Sequence, residues 1–310
     1  MAVTGVMRPG HAQIRVLNLE EDVKFYRDVL GLVETGRDAQ GRVYFKAWDE
    51  RDHNSLILRQ SDIAGVDFFG FKVDSAATLS KLEADLNAYG VKTSRMPAGE
   101  MLATGERVRF EVPTGHTIEL YAEKKDVGNG LGYSNPAPWN KQSETGIAPT
   151  RMDHALLGGG DLDGARDIFV NVLGFYVVEE VVADEDANMQ IAVWLSCSNK
   201  THDIAFVRCP ENGKLHHVSY WIETWEKVLR AADLMSMNDV PVDIGPTRHG
   251  ITRGATIYAF DRSGNRFETF SGGYIAYPDM TKLTWPLSHL PEGLDYAQRK
   301  LHESFLTVFS

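Results

Sequence analysis

Short runs that alternate apolar and polar residues give way to stretches of helical spacing, and the cycle recurs along the chain. His11 opens HAQIRVLNL, and the runs RVYFKAW (42–48) and SLILRQ (55–60) alternate with the period of a strand. Between them EDVKFYRDVLGL (21–32) places Val23, Tyr26 and Leu30 on one helical face, with Asn18 positioned to cap it. A second unit follows: Asp74 or Ser75 caps SAATLSKLEADLNAYG (75–90), and Gly90 ends it.

The second half repeats this plan. RMDHALLGGGDLDGARDIFVNVLGFY (151–176) resembles RPGHAQIRVLNLEEDVKFYRDVLGLV (8–33), and ETWEKVLRAADL (223–234) parallels SAATLSKLEADL (75–86) at equal length. GHTIELY (115–121) and GNRFETF (264–270) both place a Glu four residues after a Gly. Such self-similarity points to duplication and to four copies of one strand-rich α+β unit. The expected organisation is a first domain over 1–125, a Gly/Pro/Asn/Ser-rich linker over 126–150, a second domain over 151–275, and an extension over 276–310 that packs on the second domain. Within the extension, LDYAQRKLHESFLTVF (294–309) has an amphipathic pattern.

Charge and composition remove several classes. Forty-three acidic against 32 basic residues give a formal charge of −11, which excludes an electrostatic footprint for nucleic acid or an anionic membrane. The start, MAVTGVMRPG, has no signal-like apolar core, and no apolar run reaches about 18 residues, so a soluble cytoplasmic protein is expected. Cys197 and Cys209 are too few for a disulfide scaffold or thiolate cluster. The triplet at 158–160 is no phosphate loop, and no GxSxG, CxxC pair or HExxH occurs.

Candidate chemistry comes from position within the repeat. In the second half His154 and His217 open strands and Glu268 lies on a closing strand, all at matching ends of the repeated units. Pairing of two units into one open barrel brings two imidazoles and a carboxylate together, a set that leaves positions open on Fe(II) for a substrate and O₂. In the first half His11 corresponds to His154 and Glu119 to Glu268, but DFFGFKV supplies no histidine where His217 stands. That half is expected to be metal-free. Strand alternation puts His216 on the face opposite His217, as a residue backing the ligands or one at the surface.

The stretch TRHGITRGATIYAFDRSGNRFE (247–268) resembles the signature of extradiol ring-cleavage dioxygenases, in His249, Ile257, Tyr258, Asp261, Gly264 and Glu268. VMRPGHAQIRVL, QGRVYFKAW, RMDHALL, LHHVSYWIETWE and DIGPTRHGIT resemble segments of the catechol 2,3-dioxygenases, so the likeness covers nearly the whole chain. It implies two domains, each of two paired βαβββ modules forming an open barrel, Fe(II) in the second domain only, and a homotetramer. By the same resemblance His154, His217 and Glu268 are metal ligands, His202 is the acid-base residue, and His249 with Tyr258 hydrogen-bonds the substrate. Trp194, Ile251 and Phe305 become apolar pocket walls. The implied reaction opens catechol, or an alkyl- or halo-catechol, with O₂ beside its hydroxyls to a 2-hydroxymuconic semialdehyde. One departure is Arg262 where the family signature has Pro, with a small effect on turn stability expected. A glyoxalase-like isomerase or an epimerase would also use His and Glu ligands, and a binding protein built from the same units would need no triad.

Overall fold

The fold is described for residues 4–310 of a computed structural model. Its first half contains β1 (Val6–Val16), α1 (Leu19–Lys24), β2 (Val33–Arg37), β3 (Val43–Lys46), β4 (Leu56–Gln60), β5 (Gly65–Val73), α2 (Ala76–Ala88), β6 (Thr93–Met96), β7 (Arg107–Glu111) and β8 (Thr117–Tyr121). The second half repeats the order: β9 (Arg151–Gly159), α3 (Leu162–Asn171), β10 (Tyr176–Val182), β11 (Gln190–Ser196), β12 (Ile204–Arg208), β13 (Lys214–Trp221), α4 (Trp225–Met237), β14 (Val242–Arg248), β15 (Gly254–Phe260) and β16 (Arg266–Gly272). Then come β17 (Leu283–Pro286), α5 (Leu290–Leu294) and α6 (Glu303–Thr307).

Local chemistry sets the helix starts. The Asn18 carboxamide accepts from the Glu21 N–H, and Ser75 rather than Asp74 caps α2, accepting from the Thr78 N–H at 3.1 Å. Asp161 and Thr224 cap α3 and α4 in the same way. Along α2, Leu79, Leu82 and Leu86 turn inward at the spacing of one helical face.

The strands form two open sheets, in the orders β2-β3-β4-β1-β5-β8-β7-β6 and β14-β15-β16-β13-β9-β12-β11-β10-β17. Each is a pair of βαβββ modules joined by an antiparallel contact of their first strands, β1 with β5 and β9 with β13. In each module the first and last strands pair in parallel: β1 with β4, β5 with β8, β9 with β12, β13 with β16. The expected α+β architecture of paired modules is therefore present. The module centre, where four strands run side by side, is where the equivalent His and Glu positions meet.

The halves share one apolar core in which the Phe71 ring packs against Phe169 and Phe175 at 5.9 and 5.2 Å. Polar contacts also cross between them: Tyr26 O–H donates to Asp261, Ser263 O–H to Asp22, and the Asn265 amide to the Arg15 carbonyl. Arg262 belongs to this seam. Its backbone N–H, which proline would lack, donates to Asp22 at 3.1 Å, and its guanidinium reaches the carbonyls of Asn238 and Asp239.

Two features add detail that the pattern reading did not carry. The segment before β9 is no free tether: Ile147 and Ala148 are buried and hydrogen-bond the carbonyls of Val29 and Leu30. In the extension the amphipathic stretch is helical only at Leu294, the end of α5, and over Glu303–Thr307. Asp295 accepts from Thr247 and from the Gln298 N–H, and Arg299 has φ +54°, so the chain turns there instead of winding on. Both cysteines are free thiols, and burial raises both pKa values. No helix among the described residues is long and apolar enough to cross a membrane.

Candidate metal centre

His154 on β9, His217 on β13 and Glu268 on β16 come together inside the second sheet, all buried. His154 Nε2 lies 2.9 Å from Glu268 Oε2 and 3.4 Å from His217 Nε2, and His217 Nε2 lies 3.5 Å from the same oxygen. Cis ligands on an octahedral cation with bonds of about 2.1 Å sit about 3.0 Å apart, so these atoms are spaced to share one ion. Glu268 Oε2 has no hydrogen-bond partner among the described residues, whereas Oε1 accepts from Thr256 O–H. Burial opposes the Glu268 charge, but the surrounding imidazoles, His154 first, outweigh it and hold its pKa well below the usual carboxylate value.

The orienting groups fit a metal ligand set. His154 Nδ1 is 3.0 Å from Asp153, whose carboxylate can only accept, so the Nδ1 proton points there and Nε2 is free to coordinate. Burial disfavours the Asp153 charge, yet Lys200, His154 and Arg151 keep it ionised.

The equivalent positions of the first half are wired differently. By strand register Gly70 takes the place of Ser219 and Phe68 that of His217. Arg109 opposes Glu119 as Tyr258 opposes Glu268. Glu119 is neutralised by protein cations instead, with Arg107 Nε at 3.2 Å and Arg109 Nε at 2.8 Å. His11 Nδ1 faces the Lys124 ammonium at 3.0 Å, while Nε2–H donates to Glu119 at 2.9 Å. Burial and then Lys124 push the His11 pKa down to about 3, so the ring carries one proton, on the nitrogen that a ligand would need bare. The duplicated position is wired against coordination.

Around the second-half cluster lies a cavity of about 30 Å³ lined by His202, His249, Tyr258, Leu156, Trp194, Ile251, Thr252, Phe270, Leu294 and Phe305 as well as the triad. His202 packs against His154 with ring centroids 3.8 Å apart and planes tilted by 48°, and burial followed by the neighbouring His154 drives its pKa well down. It is a neutral imidazole able to accept a proton. His249 Nδ1–H donates to the Leu294 carbonyl, leaving Nε2 to accept from Tyr258 O–H at 2.8 Å. Burial, then the Glu268 charge, raises the Tyr258 pKa and keeps it a donor. A larger groove of about 770 Å³ between the halves has no residue in common with this cavity.

The cover is held by a buried carboxylate. Glu179 accepts from the Thr252 N–H, Tyr274 O–H and Trp285 Nε1–H at 2.7–2.8 Å. Thr252 and Arg253 have φ +62° and +57°, so this anchored turn holds backbone conformations uncommon for residues other than Gly.

All nine residues singled out from sequence thus line one site. Sequence reasoning missed Asp153, Thr256, Leu156, Phe270 and Leu294. Asp153 had a signal, since RMDHA carries Asp where RPGHA carries Gly10. His216 was placed on the opposite face by alternation, but a register shift between Leu215 and His217 makes it a bulge residue whose Nδ1 lies 2.7 Å from His217 Nδ1.

Paired βαβββ modules around a two-His, one-carboxylate cluster that could hold one metal ion define a vicinal oxygen chelate protein. Residues 151–269 match the Glyoxalase/Bleomycin resistance protein/Dioxygenase superfamily, and residues 66–125 the Catechol 2,3-dioxygenase-like N-terminal domain. The sequence is 52% identical to a metapyrocatechase of Pseudomonas sp. (strain CF600) over 99% of both chains. It is 67% identical to the crystallised 2,3-dioxygenase LapB from Pseudomonas sp. KL28, with a TM-score of 0.91 over 92% of this chain and 99% of that one. A manganese-dependent 2,3-dihydroxybiphenyl 1,2-dioxygenase of Geobacillus genomosp. 3 is 29% identical over 92% of this chain and 91% of its own. The chain belongs to the catechol 2,3-dioxygenase family of extradiol dioxygenases, and it is an enzyme.

Proposed function

We propose that the protein is a catechol 2,3-dioxygenase that opens catechol, or an alkyl- or halo-catechol, with O₂ to a 2-hydroxymuconic semialdehyde, using Fe(II) held by His154, His217 and Glu268. The observation that carries this reading is the contrast between the halves: Nε2 of His154 is freed by Asp153, and that of His11 is blocked through Lys124 and Glu119. Iron is preferred over manganese on the family resemblance, and the manganese dependence of the Geobacillus relative makes the metal an open experimental variable. The bound ion would supply two-oxygen chelation of the substrate, an acidified phenol and a binding position for O₂.

The protein groups then have separate tasks. His202 takes a catechol proton and returns it to the departing oxygen as the ring opens, both oxygen atoms of O₂ ending in the product. His249 and Tyr258 hydrogen-bond the substrate oxygens and stabilise charge developing there. Trp194, Ile251 and Phe305 wall the ring and exclude water. A cavity of about 30 Å³ has no room for an aromatic ring, so lining side chains must shift to admit it. The same reading divides the chain into domains 1–125 and 151–275 with a 126–150 connection and a 276–310 extension, in a cytoplasmic homotetramer.

The test is anaerobic loading with Fe(II), then catechol in air with O₂ uptake and absorbance recorded together. Equal uptake of O₂ and catechol with a yellow semialdehyde is expected. A colourless muconic product, or no uptake across several catechols, would overturn the assignment.

A further inference from the structure

We infer that His216 is a positioning residue that fixes the tautomer of His217 and ties metal affinity to the seating of the C-terminal helix α6. The inference rests on the proposed role of His217 as a ligand and extends it to a residue and a segment outside the ligand set.

His216 occupies the bulge in β13, so its side chain lies beside His217 instead of behind it. The two Nδ1 atoms are 2.7 Å apart, and His216 Nε2 is 2.7 Å from the Phe305 carbonyl of α6. A carbonyl oxygen only accepts, so Nε2 of His216 carries its proton and, in the neutral ring, Nδ1 is bare. The Nδ1–H of His217 therefore donates to it, and Nε2 of His217 faces the cluster without a proton. One line of hydrogen bonds runs from the backbone of α6 to the ligand atom. With Asp153 acting on His154, each imidazole of the triad has its own orienting partner.

Several contacts hold α6 to this line. The His216 ring packs edge-on against Phe305 at 4.4 Å and Phe309 at 5.1 Å. Arg266, next but one to Glu268, donates to the carbonyls of Ser304 and Val308. Leu215, at the edge of the bulge, exchanges both backbone hydrogen bonds with Ser310. Phe305 also walls the cavity, its ring 4.9 Å from Tyr258. The carbonyl of Phe305 is the far end of the line that orients His217, so displacing α6 loosens the ligand.

The experiment measures Fe(II) dissociation constants anaerobically by chelator competition, with melting curves for every variant. His216→Phe keeps the aromatic contacts and removes both nitrogens; it is expected to weaken binding 10- to 100-fold with a cooperative melt. His216→Gln, which restores an acceptor and a donor, recovers most of that loss. Deleting residues 302–310 weakens binding to a similar degree and adds less than twofold in the His216→Phe background. His216→Phe within twofold of the parent, or full additivity with the deletion, overturns the inference while His217→Ala still abolishes binding. Undiminished affinity in His217→Ala removes the ligand assignment and the inference with it. If His216→Phe does not fold, an unchanged affinity in the deletion variant is the overturning result.

Discussion

Replacing Asp153 by Asn changes one charge and almost no volume, which makes it a sharp probe of how the site is built. Asp153 Oδ2 takes the His154 Nδ1–H at 3.0 Å, while Oδ1 contacts Arg151 at 3.0 Å and Lys200 at 3.3 Å. Lys200 keeps Asp203 at 3.0 Å and the Asp153 backbone carbonyl, so the substitution strands no buried cation. What it removes is a hydrogen bond to a charged acceptor, worth about 1.5–3 kcal/mol. At about 1.4 kcal/mol per tenfold, Fe(II) should bind about 10- to 150-fold more weakly if that energy is used to hold Nε2 bare for the metal. Asp203→Asn serves as the control, since it disturbs Lys200 without touching His154. Chelator competition on the two variants, with melting curves, separates metal affinity from stability. Asp153→Asn binding Fe(II) within twofold of the parent would refute the orienting role.

Three other outcomes follow from named contacts. Glu119 is held down to about 2 from 4.5 because its pairing with His11, Arg107 and Arg109 outweighs the penalty of burial. A depressed carboxylate stabilises the fold above its unfolded pKa, so Glu119→Gln should cost roughly 3 kcal/mol at neutral pH. In denaturant titrations that cost should shrink as pH falls from about 4.5 toward 2, and a pH-independent cost would contradict the pairing. Phe305→Leu enlarges a cavity of about 30 Å³ and should shift kcat/KM toward alkyl-catechols by about tenfold relative to catechol, read from initial O₂ uptake. Arg262→Pro removes the N–H bond to Asp22 and the guanidinium bonds to Asn238 and Asp239, and should lower Tm by about 2–6 °C with metal content unchanged.

Duplication made the architecture and the triad legible from sequence. His154 and Glu268 had partners in His11 and Glu119 to be read against, and the missing histidine in DFFGFKV marked the half expected to be metal-free. The cations around its Glu were not legible, because Arg107, Arg109 and Lys124 converge on His11 and Glu119 only through strand register. The direct contact of His216 with His217 was not legible because alternation assumes a regular strand, and a bulge adds one residue without any glycine or proline to announce it. The extension's apolar residues bury against the site as a short helix and a turn; Asp295 caps that turn through the Gln298 N–H, and the positive φ at Arg299 ends it.

The central claim is that one metal binds per chain, in the second half, on His154, His217 and Glu268. Metal stoichiometry after anaerobic Fe(II) loading and desalting tests it most directly in the parent, His217→Ala and His11→Ala. The account predicts one equivalent per chain in the parent, none in His217→Ala and one in His11→Ala. Two equivalents in the parent, or a full equivalent retained by His217→Ala, would contradict it.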